Sequence, residues 1–265
     1  MLSSKAFFSF TEVVDRSRHR DYNAWHQLDH RPENLALPGV LHGERWVRSP
    51  DCIAAGPSPI DALRDVHYIN MYWFSEPVEE SFRDWQALGE RSFQWGRRPD
   101  AQIVRRPLMG SFSPVKGYVS PRVLVSPDAL PFRPNRGVAI AVSRLADPHS
   151  AAAHDLFGWY DQVRIPDLLS CVGVAGAWTF ASQSTTLDRG WSAASGSTTF
   201  DERSELDSGR YRILLVYLDA DPLEFLSDYR RRQEEWRDAE RQSLEVPILS
   251  SALRAITPWQ WDWFD

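Results

Sequence analysis

The chain repeats itself. Trp25, Pro32, Leu35, Gly39 and Val40 recur with the same spacing as Trp159, Pro166, Leu169, Gly173 and Val174, an offset of 134 positions in 265 residues. A period near half the length implies two copies of one supersecondary unit. Farther along, Tyr72–Pro77 (YWFSEP) resembles Tyr217–Pro222 (YLDADP) at an offset of 145, so the second copy carries an 11-residue insertion, placed within Gln183–Gly209.

Each half reads as strand, helix, strand, strand, helix, strand. Ala6–Val14 is an apolar, β-prone run, and His19–Leu37 places Trp25, Leu28, Pro32 and Leu35 at the spacing of one helical face. Pro32 is expected to end or kink that helix. Leu41–Val47 and Val66–Phe74 follow as strands, with a Pro- and Gly-containing loop around Gly56–Pro59 between them. Pro77 opens a second helix to Trp95, and Ala101–Phe112 closes the unit. The second half repeats the pattern as Gly137–Leu145, Ser150–Leu169, Val174–Ala181, Arg210–Leu218, Pro222–Gln242 and Ile248–Phe264. Residues 113–136, with five prolines, suit an extended surface linker, dividing the chain into 1–112 and 137–265. A four-stranded sheet with both helices on one side must cover its bare face, and the sister half supplies the cover. The expected fold is therefore α+β: two tandem ferredoxin-like βαββαβ halves packed sheet to sheet in a pseudo-twofold sandwich or barrel. A cavity is expected between the sheets or between sheet and helix.

Composition narrows the partners. A formal charge of -6 with no clustered cationic face argues against nucleic acid. No apolar stretch reaches the roughly 20 residues of a membrane helix, and Met1–Phe10 is too short and polar for a signal peptide. Cys52 and Cys171 are the two cysteines, too few for a disulfide framework, and are expected to be reduced thiols in a cytoplasmic protein. Aromatic residues make up 12% of the chain, including 12 Trp, a composition suited to cores or to walls for flat apolar ligands.

The run Trp25-His26-Gln27-Leu28-Asp29-His30-Arg31-Pro32-Glu33, followed by Leu35 and Pro38-Gly39-Val40, resembles the dimeric α+β barrel superfamily, particularly its EthD-like branch. Asp29, His30 and Pro32 match that branch's acidic-His-x-Pro signature. The second copy departs from it, with Val163 and Arg164 where Asp29 and His30 stand in the first. The resemblance implies a homodimer fused into one chain, with one site kept and the other free to diverge. It also implies a superfamily of cofactor-free monooxygenases, lactone isomerases, polyketide cyclases and haem enzymes, so fold does not settle function.

His30 is the leading catalytic candidate, an imidazole able to relay a proton to or from an enolisable substrate. Asp29 is a candidate assistant, although adjacent helical residues do not face one another. The alternative is that His30 merely caps a Pro-terminated helix. His26 and Glu33 lie one turn to either side of His30, which makes them a candidate metal face or substrate contacts. This side lies opposite Leu28 and Leu35, so plain solvent exposure is the competing reading. Within Val66–Phe74, alternation puts His67, Ile69, Met71 and Trp73 on one face and Tyr68, Asn70, Tyr72 and Phe74 on the other. Asn70 is a polar group among aromatics that needs a partner or a ligand. Tyr72 and Tyr217, matched between halves, orient a substrate or pack as a symmetric pair. Trp259, Trp261 and Trp263 fall on one face of the last expected strand, as a ligand wall or a sheet-to-sheet core.

The remaining motifs are weaker. Arg230–Arg241 mixes charge signs as a solvated helix face would. Gly173–Gly176 lacks the spacing of a phosphate loop, and Ser195-Gly196-Ser197 reads as a flexible loop rather than a hydrolase elbow.

Three functions stay open. The first is an enzyme that isomerises, cyclises, cleaves or oxygenates a hydrophobic, aromatic or polycyclic substrate without a cofactor, using a His base. His30 and Asp29 are its catalytic residues, and His26, Asn70, Tyr72, Tyr217 and Trp261 bind substrate. The second adds haem or a divalent metal, and the third is a non-catalytic binding or assembly module. The chain is expected to be a monomer, as a fused pseudo-dimer, or a homodimer.

Overall fold

The computed structural model describes residues 3–99, 103–187, 208–235 and 243–265. Ser195-Gly196-Ser197, most of the expected insertion and the end of the charged Arg230–Arg241 run lie outside them. Eight strands form one closed antiparallel barrel: β1 (Ala6–Val13), β2 (Val40–Val47), β3 (Tyr68–Phe74), β4 (Val104–Val119), β5 (Gly137–Leu145), β6 (Val174–Leu187), β7 (Tyr211–Leu218) and β8 (Glu245–Ala255). Around the barrel they run β1-β3-β2-β8-β5-β7-β6-β4. The first four strands thus lie in the order β4-β1-β3-β2 and the last four as β8-β5-β7-β6, the same order in each half.

The helices lie outside. In the first half α1 (His19–Trp25), a π turn (His26–His30) and α2 (Arg31–Leu35) form one continuous rod, followed by a short α3 (Pro50–Ala55) and by α4 (Val78–Gln94). In the second, α5 (Ala151–Trp159), a π turn (Tyr160–Arg164) and α6 (Ile165–Ser170) repeat the rod, and α7 (Pro222–Glu235) follows β7. Among the described residues no helix is long and apolar enough to cross a membrane.

Alternation along the strands sorts the two faces. Phe8, Phe10, Ile69, Met71, Trp73, Phe112, Trp178, Phe180 and Leu215 fill the barrel interior. Tyr68, Tyr72 and Phe74 face the helices, as their alternation in the sequence requires. The interior is packed, with Phe8 edge-on to both Phe112 and Phe180 at 5.4 and 5.0 Å between centroids. Space for a ligand therefore lies between sheet and helix, not between the sheets.

Three expectations change. Residues 113–136 are not simply a surface linker, because β4 runs on to Val119 and pairs with β6 throughout. The rest of the segment then covers one mouth of the barrel, burying Val123 and Leu130 in the core and accepting the Trp178 Nε1–H at the Pro127 carbonyl (3.0 Å). Helix α2 does not stop at Pro32, which sits in its first turn. Strand β8 ends at Ala255, since Pro258 cannot donate to a ladder and Trp259 takes a positive φ of 68°. The tail folds back along α1, where Phe264 stacks on His19 at 4.0 Å and Asp265 pairs with Arg20.

The two lines along which the halves meet differ in length. Strand β4 pairs with β6 from Leu108 to Val119, whereas β2 meets β8 at Trp46 and Val47, opposite Ala255 and Arg254. Beside this short seam the Arg48 guanidinium is wholly buried. It donates to Ser251 Oγ at 2.9 Å and to the carbonyls of Gly56, Arg64 and Val66 at 2.7, 2.8 and 3.2 Å.

Candidate active site

The π turns decide which side chains face the sheet. In each, the first residue after the turn donates five residues back, Arg31 to the His26 carbonyl and Ile165 to that of Tyr160. A proline follows at once, Pro32 or Pro166, whose ring would clash with the carbonyl four residues earlier, and the widened turn relieves that contact. The extra residue rotates the rod out of the α-helical count. Leu28 and Leu35 end up 54% and 36% exposed, while His26 is 2% exposed. The solvent-facing reading of the histidine side is thus reversed.

Beneath the first π turn lies a cavity of about 80 Å³, closed below by β1, β3 and β4 and on one flank by α4. His26 and His30 share its roof, their rings 5.2 Å apart. Trp25 stacks on His30 at 4.6 Å, and Tyr22, Phe7 and Trp85 complete the aromatic walls. Asn70 and Tyr72 rise from β3 as its floor, together with Ser9 of β1. Gly43 on β2 lets Tyr72 settle there, since a Cβ at that position would meet the ring at 2.6 Å. Arg98, after α4, and Arg106, on β4, supply the cationic rim.

His30 is held in one tautomer. The Asn34 amide Nδ2 donates to His30 Nδ1 at 3.2 Å and to the His30 carbonyl, so the neutral ring carries its proton on Nε2. Burial, and then the guanidiniums of Arg98, Arg106 and Arg45, hold this imidazole well below its ordinary range. Burial, and next Arg45, do the same to His26. Both rings are neutral at pH 7. Burial also lifts the Tyr72 phenol well above its usual value.

Several buried polar atoms around this cavity have no protein partner: His26 Nδ1, Tyr72 OH, Asn70 Oδ1, Trp25 Nε1, Trp85 Nε1 and Arg98 Nε. Arg45, beside Asn70 in the sheet, adds Nε and one terminal nitrogen, while its other nitrogen donates to Asn23 Oδ1 at 2.5 Å. Buried polar groups without partners are uncommon, and a cluster of them points to something that is meant to bind there.

Three sequence-predicted site residues lie elsewhere. Asp29 points away from the cavity and is held with Glu33 by Arg97, at 2.7 and 2.5 Å, because the wide turn sends it to the outer side. Tyr217 faces the barrel interior, 6.4 Å from Trp46, whereas Tyr72 faces the helices. The match of Tyr72 to Tyr217 is thus one residue out of step with the faces of β3 and β7, and a strand shifted by one residue turns its side chains over. Trp261 lies on the far side of α1, donating to Gln27 Oε1 at 2.6 Å, and Trp259 is 72% exposed, so no indole wall forms. Conversely, Tyr22, Trp85, Arg98 and Arg106 line the site without any local sequence signal. Trp25 belongs to the repeat, to the apolar helical face and to the motif run, none of which marks it as a lining residue.

The second half has a cavity in the corresponding place, of about 130 Å³. Tyr160 and Arg164 stand where His26 and His30 stand in the first half. Here the polar groups satisfy one another. Glu245 accepts from Tyr160 and from Ser143 (2.5 Å) and pairs with Arg164 at 3.5 Å, while Arg164 donates to Tyr229 OH at 3.0 Å. Arg212, whose Nε has no partner, lies over the Phe157 ring at 4.1 Å.

The residues of the first cavity do not make a ligand set for either alternative cofactor, a divalent metal or haem. No group of three His, Cys, Asp or Glu residues among the described residues is placed to hold a metal, and Glu33 is engaged by Arg97. An iron-bound histidine donates its second ring N–H, whereas His30 Nδ1 accepts one.

No family model matches the chain, and no curated protein matches its sequence. Solved structures do. An anthrone oxidase-like protein superposes with a TM-score of 0.55 at 8% identity, over 96% of this chain and 92% of its own. A protein assigned as a chlorite dismutase gives 0.54 at 12% identity, over 97% of this chain and 96% of its own. The likeness is one of fold: an α+β barrel of antiparallel strands with helices outside.

Proposed function

We propose that the chain is a small-molecule enzyme whose N-terminal cavity binds a hydrophobic, aromatic or polycyclic substrate and converts it by cofactor-independent acid/base chemistry. Isomerisation, cyclisation, a lyase reaction and oxygenation are the reaction types in view. One observation carries the reading: the N-terminal cavity gathers two neutral histidines and unpartnered polar atoms between aromatic walls, while its C-terminal counterpart is internally paired. The names of the structural neighbours, an anthrone oxidase-like protein and a chlorite dismutase, agree with an enzyme on this fold.

In this reading His30 Nε2–H holds a substrate carbonyl oxygen and His26 Nδ1 takes the proton from the adjacent carbon. The C–H electron pair moves toward the oxygen, giving an enolate stabilised by His30 and the neighbouring guanidiniums. Return of the proton to another carbon completes a redox-neutral shift. Tyr72 and Asn70 position the ring, and Trp25 and Trp85 exclude water. Enolisable aromatic ketones, followed by absorbance, are the test substrates. His30→Ala is expected to lower turnover by about 10²-fold or more with the melting temperature preserved. Undiminished turnover would remove His30 from the mechanism, and no turnover of any ketone by the native chain would overturn the reading.

The two halves, 1–112 and 137–265 joined through 113–136, are read as fused copies of one EthD-like unit. The common strand order and the two π turns 134 positions apart support this. One chain closes the barrel alone, so sedimentation is expected to find a monomer. In the second copy Arg164 and Glu245 take the place of acid/base chemistry with a fixed internal pair.

A further inference from the structure

We propose that the N-terminal cavity takes its aromatic ligand as an anion, with an ionised carboxylate or phenolate oxygen turned toward Arg98. The proposal rests on the reading of this cavity as an aromatic small-molecule site and adds the charge of the occupant.

The first argument is the balance of donors and acceptors. Of the unpartnered buried atoms around the cavity, Tyr72 OH, Trp25 Nε1, Trp85 Nε1, Arg98 Nε and two nitrogens of Arg45 carry hydrogens to give. Against these six donors stand two acceptors, Asn70 Oδ1 and His26 Nδ1. Such a lining is satisfied by a ligand rich in acceptors.

Charge points the same way. Arg98 lines the cavity and Arg45 borders its floor, yet among its described lining residues there is no aspartate or glutamate. The acids nearest in sequence to the histidines, Asp29 and Glu33, are spent on Arg97. The carboxylate that acts on Arg98, Glu90, is not among the lining residues and accepts from Gln94 at 3.1 Å. Burying a guanidinium is costly without a counter-charge, and an anionic ligand supplies one. Charge-assisted bonds to guanidinium are also the stronger kind.

The second half shows what such a counter-charge looks like. There the Glu245 carboxylate sits beneath the corresponding π turn, accepting from Tyr160 and Ser143 and pairing with Arg164. The C-terminal cavity carries its anion as a side chain. The N-terminal cavity receives it from outside.

Two probes of one shape separate charge from ring. 2-Naphthoate and 2-naphthamide are titrated against the native chain and against Arg98→Gln, read by quenching of tryptophan fluorescence at low and high salt. The native chain is expected to bind naphthoate about tenfold or more tightly than naphthamide, with the preference shrinking in salt. Arg98→Gln is expected to abolish most of that preference. Equal affinities in the native chain overturn the anion proposal and leave the aromatic site standing. A preference untouched in Arg98→Gln overturns the role given to Arg98. Failure of both probes to bind overturns the proposal together with the reading beneath it.

Discussion

Asn34 does more to define the site than its place beside a signature histidine suggests, because its amide fixes which nitrogen of His30 carries the proton. Asn34→Asp replaces that donor with a carboxylate. The His30 proton then moves to Nδ1 and the imidazole pKa rises toward its ordinary range, since a nearby negative charge favours the protonated ring. The activity of Asn34→Asp is therefore expected to be low at neutral pH, where Nε2 is bare, and to rise below about pH 6 as protonation restores the Nε2–H, whereas the native profile stays flat. A pH–rate comparison of the two checks this, and coincident profiles would count against the assigned tautomer. Gly43→Ala is a steric counterpart. Its Cβ would intrude on the Tyr72 ring at 2.6 Å, and urea unfolding should show a loss of about 1–3 kcal/mol. At this scale the sequence discloses His30, His26, Asn70 and Tyr72, because each breaks a local pattern. It misleads on Asp29, whose direction depends on a turn that residue spacing does not encode. Trp85 and Arg98 reach the cavity only through packing of distant segments, and nothing near them in the chain marks it.

The π turn is the element on which the site depends. An α-helical count puts Leu28 and Leu35 inward and the histidines outward, and one added residue inverts both. Deleting Leu28, which is 54% exposed, should restore an α-helical turn and rotate the preceding segment by about 100° relative to the following one. Circular dichroism is expected to report an intact fold while 2-naphthoate binding is lost; retained binding would mean the turn is incidental. Pro32 and Pro166, each two residues past a π turn, are the signal in the sequence, and Pro32 alone reads there as a helix end or kink. Strand positions were easier to read, since period-two alternation over β3 assigns its faces correctly. Matching one strand to its repeat by sequence alone is less secure, because an error of one residue sends Tyr217 to the opposite face.

At the scale of the molecule, buried neutral histidines set the response to acid. Burial lowers His19 to about 3 and His42 and His67 to about 4, and holds His26 and His30 well below normal. The unfolded chain takes up protons near pH 6.5 that the folded chain refuses, so stability is full above that value and declines as pH falls toward 4. Melting temperatures measured across this window should drop steeply, well before the ion-paired carboxylates titrate. A flat curve would contradict the depressed values. The α+β class was legible from the succession of strand and helix patterns, whereas the unequal seams were not, because they depend on how far β4 runs on past the expected strand end at Phe112.

The Arg48 cluster stands where the barrel is least laced. Sheets joined along one long margin and one brief one behave as a book with a spine at β4 and β6 and a clasp at β2 and β8, so thermal breathing opens the clasp first. Amide exchange should therefore be fastest at Trp46–Val47 and slowest between Leu108 and Val119. Arg48→Met, which abandons several buried carbonyls, should unlatch the fore-edge at a cost of about 2–4 kcal/mol while the spine stays closed.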